Sequence, residues 1–210
     1  MKRLSLIALL TLTTACTKGE IEDTAQDTAD GPDDSGTDDT LVASGTQVEL
    51  VTGMGTVVLE LYDDEAPVTT SNFLQYVDDG FYDGDDGLGE TLFHRVIVDF
   101  MAQGGGLLAS GSPKPTRDAI VNESDNGISN ARGTIAMART NAPNSATSQF
   151  FVNVVDNDFL DVDGSYPPGY AVFGEVVSGM DVVDAMVNVS TDGSDRPSTD
   201  IVIQDMERVE

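Results

Sequence analysis

The feature of this sequence that most limits its possible folds is a series of short apolar segments that begins near residue 47. In each segment apolar and polar residues tend to alternate, and Gly, Asn, Asp or Pro residues flank it. Alternation with a period of two is typical of β-strands, and frequent turn residues keep such strands short. The predicted strands are residues 47–51, 56–62, 93–98, 133–138, 149–154, 171–176 and 201–205. We therefore expect a mainly β domain.

Two segments have the pattern of an α-helix. The first begins at Pro67, which suits the first helical turn, and ends before Gly80. The second starts near Ser178, whose hydroxyl can cap a helix. The apolar residues that would face the sheet are Phe73, Tyr76 and Val77 in the first segment and Val183, Met186 and Val187 in the second. Many short strands with two helices outside them suggest a closed antiparallel barrel covered by helices.

The net charge, together with the presence of only one Cys and one His, excludes several classes of function. The 210 residues include 10 basic and 37 acidic side chains, which gives a net charge of −27. Nucleic acid and anionic membrane surfaces are therefore not expected as electrostatic partners. Cys16 and His94 are the single Cys and His, so the chain can form neither an intramolecular disulfide nor a Cys-rich zinc cluster. A Ser-His-Asp triad would have to use His94.

The N-terminal residues have the features of an export signal. Residues 1–15 combine a basic start with an apolar stretch at 4–12, which is about half of what a membrane-spanning helix needs. Residues 12–16 resemble a bacterial lipobox, which implies that Cys16 is lipidated and that residues 1–15 are removed. The next residue is Thr17 and not Asp, which in the Gram-negative sorting pattern favours the outer membrane. The alternative is an ordinary cleaved signal with a chance Cys.

The segment after Cys16 is acidic and polar. Residues 19–47 contain nine carboxylates and no Lys or Arg. Such a stretch buries too little apolar surface to offset its ordering entropy, so we predict that residues 16–46 form a disordered tether carrying the lipidated Cys. A calcium-binding tail is the alternative, but the Asp residues lack the spacing of a calcium loop. Residues 47–210 would form the folded domain.

Two parts of this domain place polar side chains among large apolar ones. Arg95 and Gln103 lie near Phe100 and Met101, and a second glutamine, Gln149, precedes aromatic residues. Apolar walls with a few polar groups are typical of sites for small neutral groups. No segment here supplies a nucleophile, a metal cage or a phosphate loop. From the residues alone, an ion-paired surface arginine and ordinary core residues are the simpler interpretation.

Six segments closely resemble the cyclophilin family of peptidyl-prolyl isomerases, particularly the bacterial periplasmic type. They are residues 80–84, 93–97, 100–105, 133–140, 145–153 and 169–174. The segments occur in the family's order and extend over nearly all of residues 47–210. The resemblance implies a closed eight-stranded antiparallel β-barrel capped by two α-helices.

The resemblance also implies roles for individual residues. Arg95 would be the catalytic arginine, and Gln103 the glutamine that positions both the substrate carbonyl and this arginine. The residues implied to bind substrate are Phe100, Met101, Ala138, Arg139, Gln149, Phe151, Phe159, Leu160 and Tyr170. Of these, Phe100, Met101, Phe151 and Leu160 would form the walls of the proline pocket. Ala138, Arg139 and Gln149 would line the groove for the residues before the proline, with Arg139 acting through its backbone.

Some positions depart from the pattern of other family members. Phe159 stands where many eukaryotic members have Trp, and Tyr170 where they have His. Residues 85–90 form an acidic insertion, and Gly106 replaces a more common acidic or serine residue. His94 is adjacent to Arg95, so strand alternation points it to the opposite face and predicts a structural role.

The expected function is therefore isomerisation of X-Pro bonds in exported proteins, without a cofactor or metal. The expected partners are proline-containing unfolded or partly folded polypeptides, with no nucleic acid and with membrane contact through the lipid anchor alone. We expect a monomer in the cell envelope, at the periplasmic face of the outer membrane or at the cell surface. One alternative is a non-catalytic cyclophilin-fold chaperone or Pro-peptide binding module. Another is a calcium-dependent adhesin, although Phe159 interrupts the calcium-loop spacing in residues 156–164.

Overall fold

The computed structural model describes residues 45–209. The predicted export signal, Cys16 and nearly all of the acidic tether lie outside these residues. Within residues 45–209, no helix combines the length and the hydrophobicity that crossing a membrane requires.

The described chain forms one antiparallel β-sheet and two α-helices. The strands are β1 (Gln47–Thr52), β2 (Gly55–Leu61), β3 (Thr91–Phe93), β4 (Arg95–Ile97), β5 (Met101–Gly104), β6 (Leu107–Leu108), β7 (Thr134–Met137), β8 (Phe150–Asn153), β9 (Val172–Ser178) and β10 (Ile201–Arg208). The helices are α1 (Pro67–Asp78) and α2 (Met180–Val187), with a 3-10 turn at Asp158–Leu160. The mainly β prediction with two helices is confirmed.

The sheet is curled and has ten strands, so the expected closed barrel of eight strands is wrong in its details. The strand order is β4-β5-β8-β7-β9-β2-β1-β10-β3-β6. The two end strands, β4 and β6, are not paired with each other in this order. Helix α1 contacts β10, and helix α2 contacts β2, β4 and β5. Buried residues of both helices belong to the same apolar core.

The difference in strand number has a local cause at His94. The segment predicted as one strand, 93–98, divides at this residue because its two halves pair with different partners. Phe93 in β3 lies opposite Ile201 of β10, whereas Arg95 in β4 lies opposite Gln103 of β5. Strands β5 and β6 have four and two residues, which is too short for alternation to be recognised in the sequence.

The first helix agrees with its prediction, and the second begins later than expected. α1 starts at Pro67 and ends at Asp78, before Gly80. Ser178 does not cap α2, because it is the last residue of β9 and pairs with β2. The residue before α2 is Gly179, which has a φ of 84°. A Cβ at this position would lie 2.3 Å from the carbonyl oxygen of Thr56, so the strand can pass directly into the helix only through glycine. The apolar residues predicted to face the sheet are buried in both helices.

Two apolar clusters lie on opposite faces of the strands. The main core packs beneath the helices and includes a group of aromatic rings, with Phe73 at 5.1 to 5.6 Å from its neighbours. The second cluster is smaller and contains Met101, Ala136, Phe151, Leu160 and Val172. In β8, Phe150 belongs to the main core and Phe151 to the second cluster. Alternation along the strands therefore builds both clusters from the same segments.

A buried lysine fixes the acidic insertion that precedes β3. The side chain of Lys114 is fully enclosed, and its ammonium group donates to the carbonyl oxygens of Phe81 (2.6 Å) and Gly89 (2.7 Å). It also donates to the carboxylate of Asp86 at 2.8 Å. An ammonium group has three N–H donors, so all three find an acceptor. The charge is thus compensated although it lies out of contact with water.

We predict that Lys114→Met destabilises the folded domain by about 3 kcal/mol, because it leaves two carbonyl groups and the Asp86 carboxylate without their donor. Urea unfolding of the purified domain measures this change. Arg208→Met is a suitable control, since it breaks an exposed pair with Asp78 and should cost less than about 1 kcal/mol. Equal unfolding midpoints for the two variants would contradict the role given to Lys114.

Candidate active site

One row of side chains crosses four neighbouring strands on the face of the second cluster. Arg95 of β4 lies opposite Gln103 of β5, and Gln103 lies opposite Phe151 of β8. Phe151 in turn lies opposite Ala136 of β7. Directly opposite residues in antiparallel strands have their side chains on the same face of the sheet. The sheet register therefore brings a cation, an amide and an aromatic ring together.

Arg95, Gln103 and Phe151 of this row form part of the wall of a cavity of about 160 Å³. The lining residues are Arg95, Phe100, Met101, Gln103, Ala138, Arg139, Phe151, Leu160 and Tyr170. Nine of the eleven residues implied by the family resemblance thus surround one space, and Gln149 and Phe159 lie outside its lining. The volume is below the range of about 300 to 1,000 Å³ that is usual for drug-sized ligands. It suits a single small ring better than a cofactor.

The floor of the cavity is apolar and firmly packed. Met101, Phe151 and Leu160 are 3%, 5% and 4% exposed, so they are core residues on their other sides. Tyr170 packs edge-on against Phe151, with ring centroids 5.7 Å apart. A rigid apolar floor of this kind excludes water from any small ring that enters.

Gln149 contributes indirectly, by holding Gln103. The amide nitrogen of Gln103 donates to the side-chain oxygen of Gln149 at 2.9 Å. Gly106 makes room for this contact, because a Cβ there would lie 2.3 Å from the Cγ of Gln149. The glycine that replaces a larger residue at position 106 is therefore explained by packing.

Phe159 lies at the rim of the cavity. Its side chain is exposed, and its ring stacks on Phe100 with centroids 5.6 Å apart and planes inclined by 30°. Tyr166 continues the aromatic surface, with its ring 6.3 Å from that of Phe159. Phe159 thus supports a lining residue and extends the apolar surface beyond the cavity.

Arg139 lines the cavity, and its guanidinium group binds the neighbouring loop. The group donates to the carbonyl oxygens of Thr140, Tyr166 and Gly169, each at 3.0 Å. It also lies over the ring of Tyr170, 4.3 Å from the centroid. These contacts fasten the loop that carries Tyr170 to the end of β7. Among the Arg and Lys side chains of residues 45–209, Arg139 alone has no carboxylate of these residues within 4.0 Å.

A buried network of asparagine side chains holds the backbone of Phe100, and no sequence motif predicted it. The amide of Asn157 donates to the carbonyl oxygen of Phe100 at 3.1 Å and to the side-chain oxygen of Asn153 at 2.8 Å. Asn153 donates to the hydroxyl of Thr134 at 2.9 Å. Since these groups are buried and satisfied, they rigidify the turn before β5.

Asp195 is a second residue that sequence reasoning missed. Its carboxylate lies 3.5 Å from the Nε atom of Arg95, and both side chains are partly exposed. The two residues are distant in the sequence, so no local motif could have paired them.

Alternation along the strand predicted that His94 faces away from Arg95, and His94 is indeed absent from the cavity lining. Its Nδ1 atom is buried and, among residues 45–209, has no hydrogen-bond partner. Burial is the main cause that lowers the pKa of His94, and the nearby charges of Arg196 and Arg95 lower it further. A hydrogen bond with the backbone of Leu92 partly opposes this shift. Burial and the neighbouring Glu175 carboxylate raise the pKa of Tyr62, which packs against the second cluster. Both side chains are therefore neutral near pH 7.

This arrangement offers a fixed cation and amide beside an apolar cavity. Such a site can hold a small ring and polarise a neutral group next to it. Within the described part of the chain, no group of three or more His, Cys, Asp or Glu side chains is placed to hold a metal ion.

The family comparison covers nearly the whole described chain. Residues 47–208 match the model for cyclophilin type peptidyl-prolyl cis-trans isomerase/CLD. In its structure the chain is similar to a cyclophilin type peptidyl-prolyl cis-trans isomerase of Cryptosporidium parvum, crystallised in the presence of the dipeptide Ala-Pro. The TM-score is 0.64 at 25% identity, and the match covers 78% of this chain and 99% of the other.

Bacterial relatives are more similar in sequence. Peptidyl-prolyl cis-trans isomerase B of Escherichia coli is 50% identical over 163 residues, which is 75% of this chain and 96% of the relative. A peptidyl-prolyl cis-trans isomerase of Streptomyces antibioticus is 54% identical over 159 residues, or 75% and 92% of the two chains. The chain therefore belongs to the cyclophilin family and is a peptidyl-prolyl cis-trans isomerase.

Proposed function

We propose that the cavity beside Arg95 is the catalytic site and that it acts on proline-containing segments of unfolded or partly folded exported proteins. The observation that carries this proposal is the row Arg95, Gln103 and Phe151, which places a cation and an amide at the edge of an apolar space. The proline ring would occupy the apolar space and leave its amide bond beside the guanidinium group.

The chemistry of the X-Pro bond explains why a cation is useful here. Rotation must break amide resonance, which sets a barrier of about 18 to 20 kcal/mol. As the amide twists, the nitrogen lone pair leaves conjugation and becomes a hydrogen-bond acceptor. Arg95 would donate to this lone pair, an interaction that the planar ground state cannot make. Binding of this kind lowers the barrier because it is stronger in the transition state.

The remaining residues would divide the task of holding the substrate. Met101, Phe151 and Leu160 would grip the proline ring, so that the carbonyl side of the bond turns while the ring stays fixed. Gln103, held by Gln149, would accept or donate at the substrate backbone. No covalent bond is made or broken in this scheme, so it uses no cofactor.

The cellular setting is a further part of the proposal. Residues 1–15 would direct export, Cys16 would carry a lipid, and residues 16–46 would tether a monomeric domain to the outer membrane. The support for this setting is the lipobox-like sequence and the acidic composition of the segment before residue 47, where the family match begins. The clients would be proline-containing proteins in the cell envelope.

Arg95→Ala tests the catalytic role. Loss of one charge-assisted hydrogen bond in the transition state, worth about 1.5 to 3 kcal/mol, should lower kcat/KM roughly 10- to 150-fold. Arg95→Lys should recover part of the loss, because it keeps the charge without the planar donor fork. A protease-coupled assay on an X-Pro peptide measures both variants.

Arg208→Ala provides the control for Arg95→Ala, since Arg208 is equally exposed and pairs with Asp78 away from the cavity. It should keep full activity. Folded Arg95→Ala with the activity of the wild type would refute the proposed mechanism.

Activity should vary little between about pH 6.5 and pH 9. A guanidinium group keeps its proton throughout this range, and burial holds the pKa of His94 below its ordinary value near 6.5. The same shift has a consequence for stability. His94 is neutral in the folded state, so its contribution is present above about pH 6.5 and is lost as the pH falls. For the isomerase activity, a bell-shaped dependence on pH between about 6.5 and 9 would contradict the expected flat profile and would indicate a general acid or base.

Cys16→Ser should abolish lipid attachment and release the protein from the membrane fraction, because the thiol is the group that would be acylated. Mass spectrometry of the N-terminal peptide and membrane fractionation give the two measurements. Thr17→Asp is the matched variant, since it should keep the lipid and redirect the protein to the inner membrane. A soluble wild-type protein with an unmodified Cys16 would exclude the anchor.

A further inference from the structure

The carboxylate of Asp195 is the acidic group that contacts Arg95 in the described chain. Its Oδ2 atom lies 3.5 Å from Nε of Arg95, which is within ion-pair distance. The contact is made at the Nε atom of the guanidinium group. Contacts of this kind are often long in unliganded enzymes and shorten when substrate binds.

The backbone around Asp195 is fastened to the strand that carries Arg95. The carbonyl oxygen of Asp195 accepts a hydrogen bond from the amide of Val96 at 2.9 Å. Val96 belongs to β4, which is the end strand of the sheet, so this bond uses its free edge. The backbone of Asp195 is therefore bonded directly to the residue that follows Arg95 in β4.

The loop that presents Asp195 is rigid for its size. Thr191 and Pro197 form an isolated β-bridge at its base. The carboxylate of Asp192 accepts from the amides of Ser194 (2.8 Å) and Arg196 (3.1 Å). The amide of Asp195 itself donates to the carbonyl oxygen of Asp192 at 3.2 Å. The backbone from which the Asp195 side chain projects is thus held by several hydrogen bonds.

Asp195 also has a backbone conformation that most side chains avoid. Its φ is 62°, in the left-handed region where glycine is the residue of lowest cost. A side chain at such a position is a reason to look for its function. Here that side chain is the one that contacts Arg95.

We propose that Asp195 is a positioning residue for the isomerase reaction. This inference rests on the proposed function of the cavity. The carboxylate restrains the guanidinium group of Arg95 through its contact at Nε, and the group is thereby held ready to donate to the proline nitrogen. A free arginine side chain would populate several rotamers, and each unproductive one reduces the fraction of enzyme ready for the transition state.

The test is Asp195→Asn, which removes the charge while keeping a residue that tolerates a positive φ. The expected result is a loss of about two- to fivefold in kcat, the size expected for an exposed ion pair, with KM little changed. The difference from wild type should shrink in about 1 M salt, which screens the ion pair. Asp195→Gly, which suits the same backbone, should show the same loss and replaces Asp195→Asn if that variant does not fold.

Asp184→Asn is the matched control. Asp184 and Arg132 form an exposed pair whose side chains are 42% and 44% exposed, against 45% and 41% for Asp195 and Arg95. The control changes the net charge equally, and its kcat should equal that of the wild type. Equal kcat values for Asp195→Asn and Asp184→Asn would overturn the proposal.

A double variant separates positioning from a general structural effect. In the Arg95→Ala background Asp195→Asn should cause no further loss, because the group that it positions is absent. The same fractional loss in both backgrounds would show that Asp195 acts on the fold and would overturn the proposal. If Arg95→Ala keeps full activity, the function proposed for the cavity fails. If Arg95→Ala loses activity and both Asp195 variants keep it, only the role of Asp195 is refuted.

Discussion

The alternation of side chains along β4, β5, β7 and β8 is the constraint on which the rest of this structure depends. Each strand supplies the main core with one set of residues and the face of the second cluster with the other. Phe150 and Phe151 are adjacent, yet one packs beneath the helices and the other beneath the proposed proline site. A shift of one residue in the register would exchange the two sets, so the packing of the core and the geometry of the site are specified together.

This coupling gives Arg95, the proposed catalytic residue, a firm base without burying it. The neighbour of Arg95 in β4 is Val96, which is 2% exposed and anchors the strand in the main core. Arg95 itself stays partly exposed, where a charge has a low desolvation cost. The site therefore combines a rigid backbone with an accessible cation, and tertiary contacts such as that with Asp195 can then restrict the side chain.

Sequence patterns predicted those parts of the fold and the candidate site that depend on local spacing or on family motifs. Pro67 marked the start of α1, and the motifs named nine residues that line one cavity. The pattern failed where non-local pairing decides the structure. The predicted strand 93–98 is divided at His94, because the two halves of the strand pair with different partners. Ser178 belongs to β9, because it pairs with β2. Asp195 and Asn157 reach the site through tertiary contacts and have no local signal.

The enclosure of Lys114 has a consequence for the chemical behaviour of the folded domain. Lys114 is the single lysine between residues 45 and 209, and it is 2% exposed. Amine-directed acylating reagents would reach its nitrogen only when the contacts with Phe81, Asp86 and Gly89 open. The rate of acylation at this one position would therefore follow the local opening of the segment before β3, and the domain contains its own chemical probe of that motion.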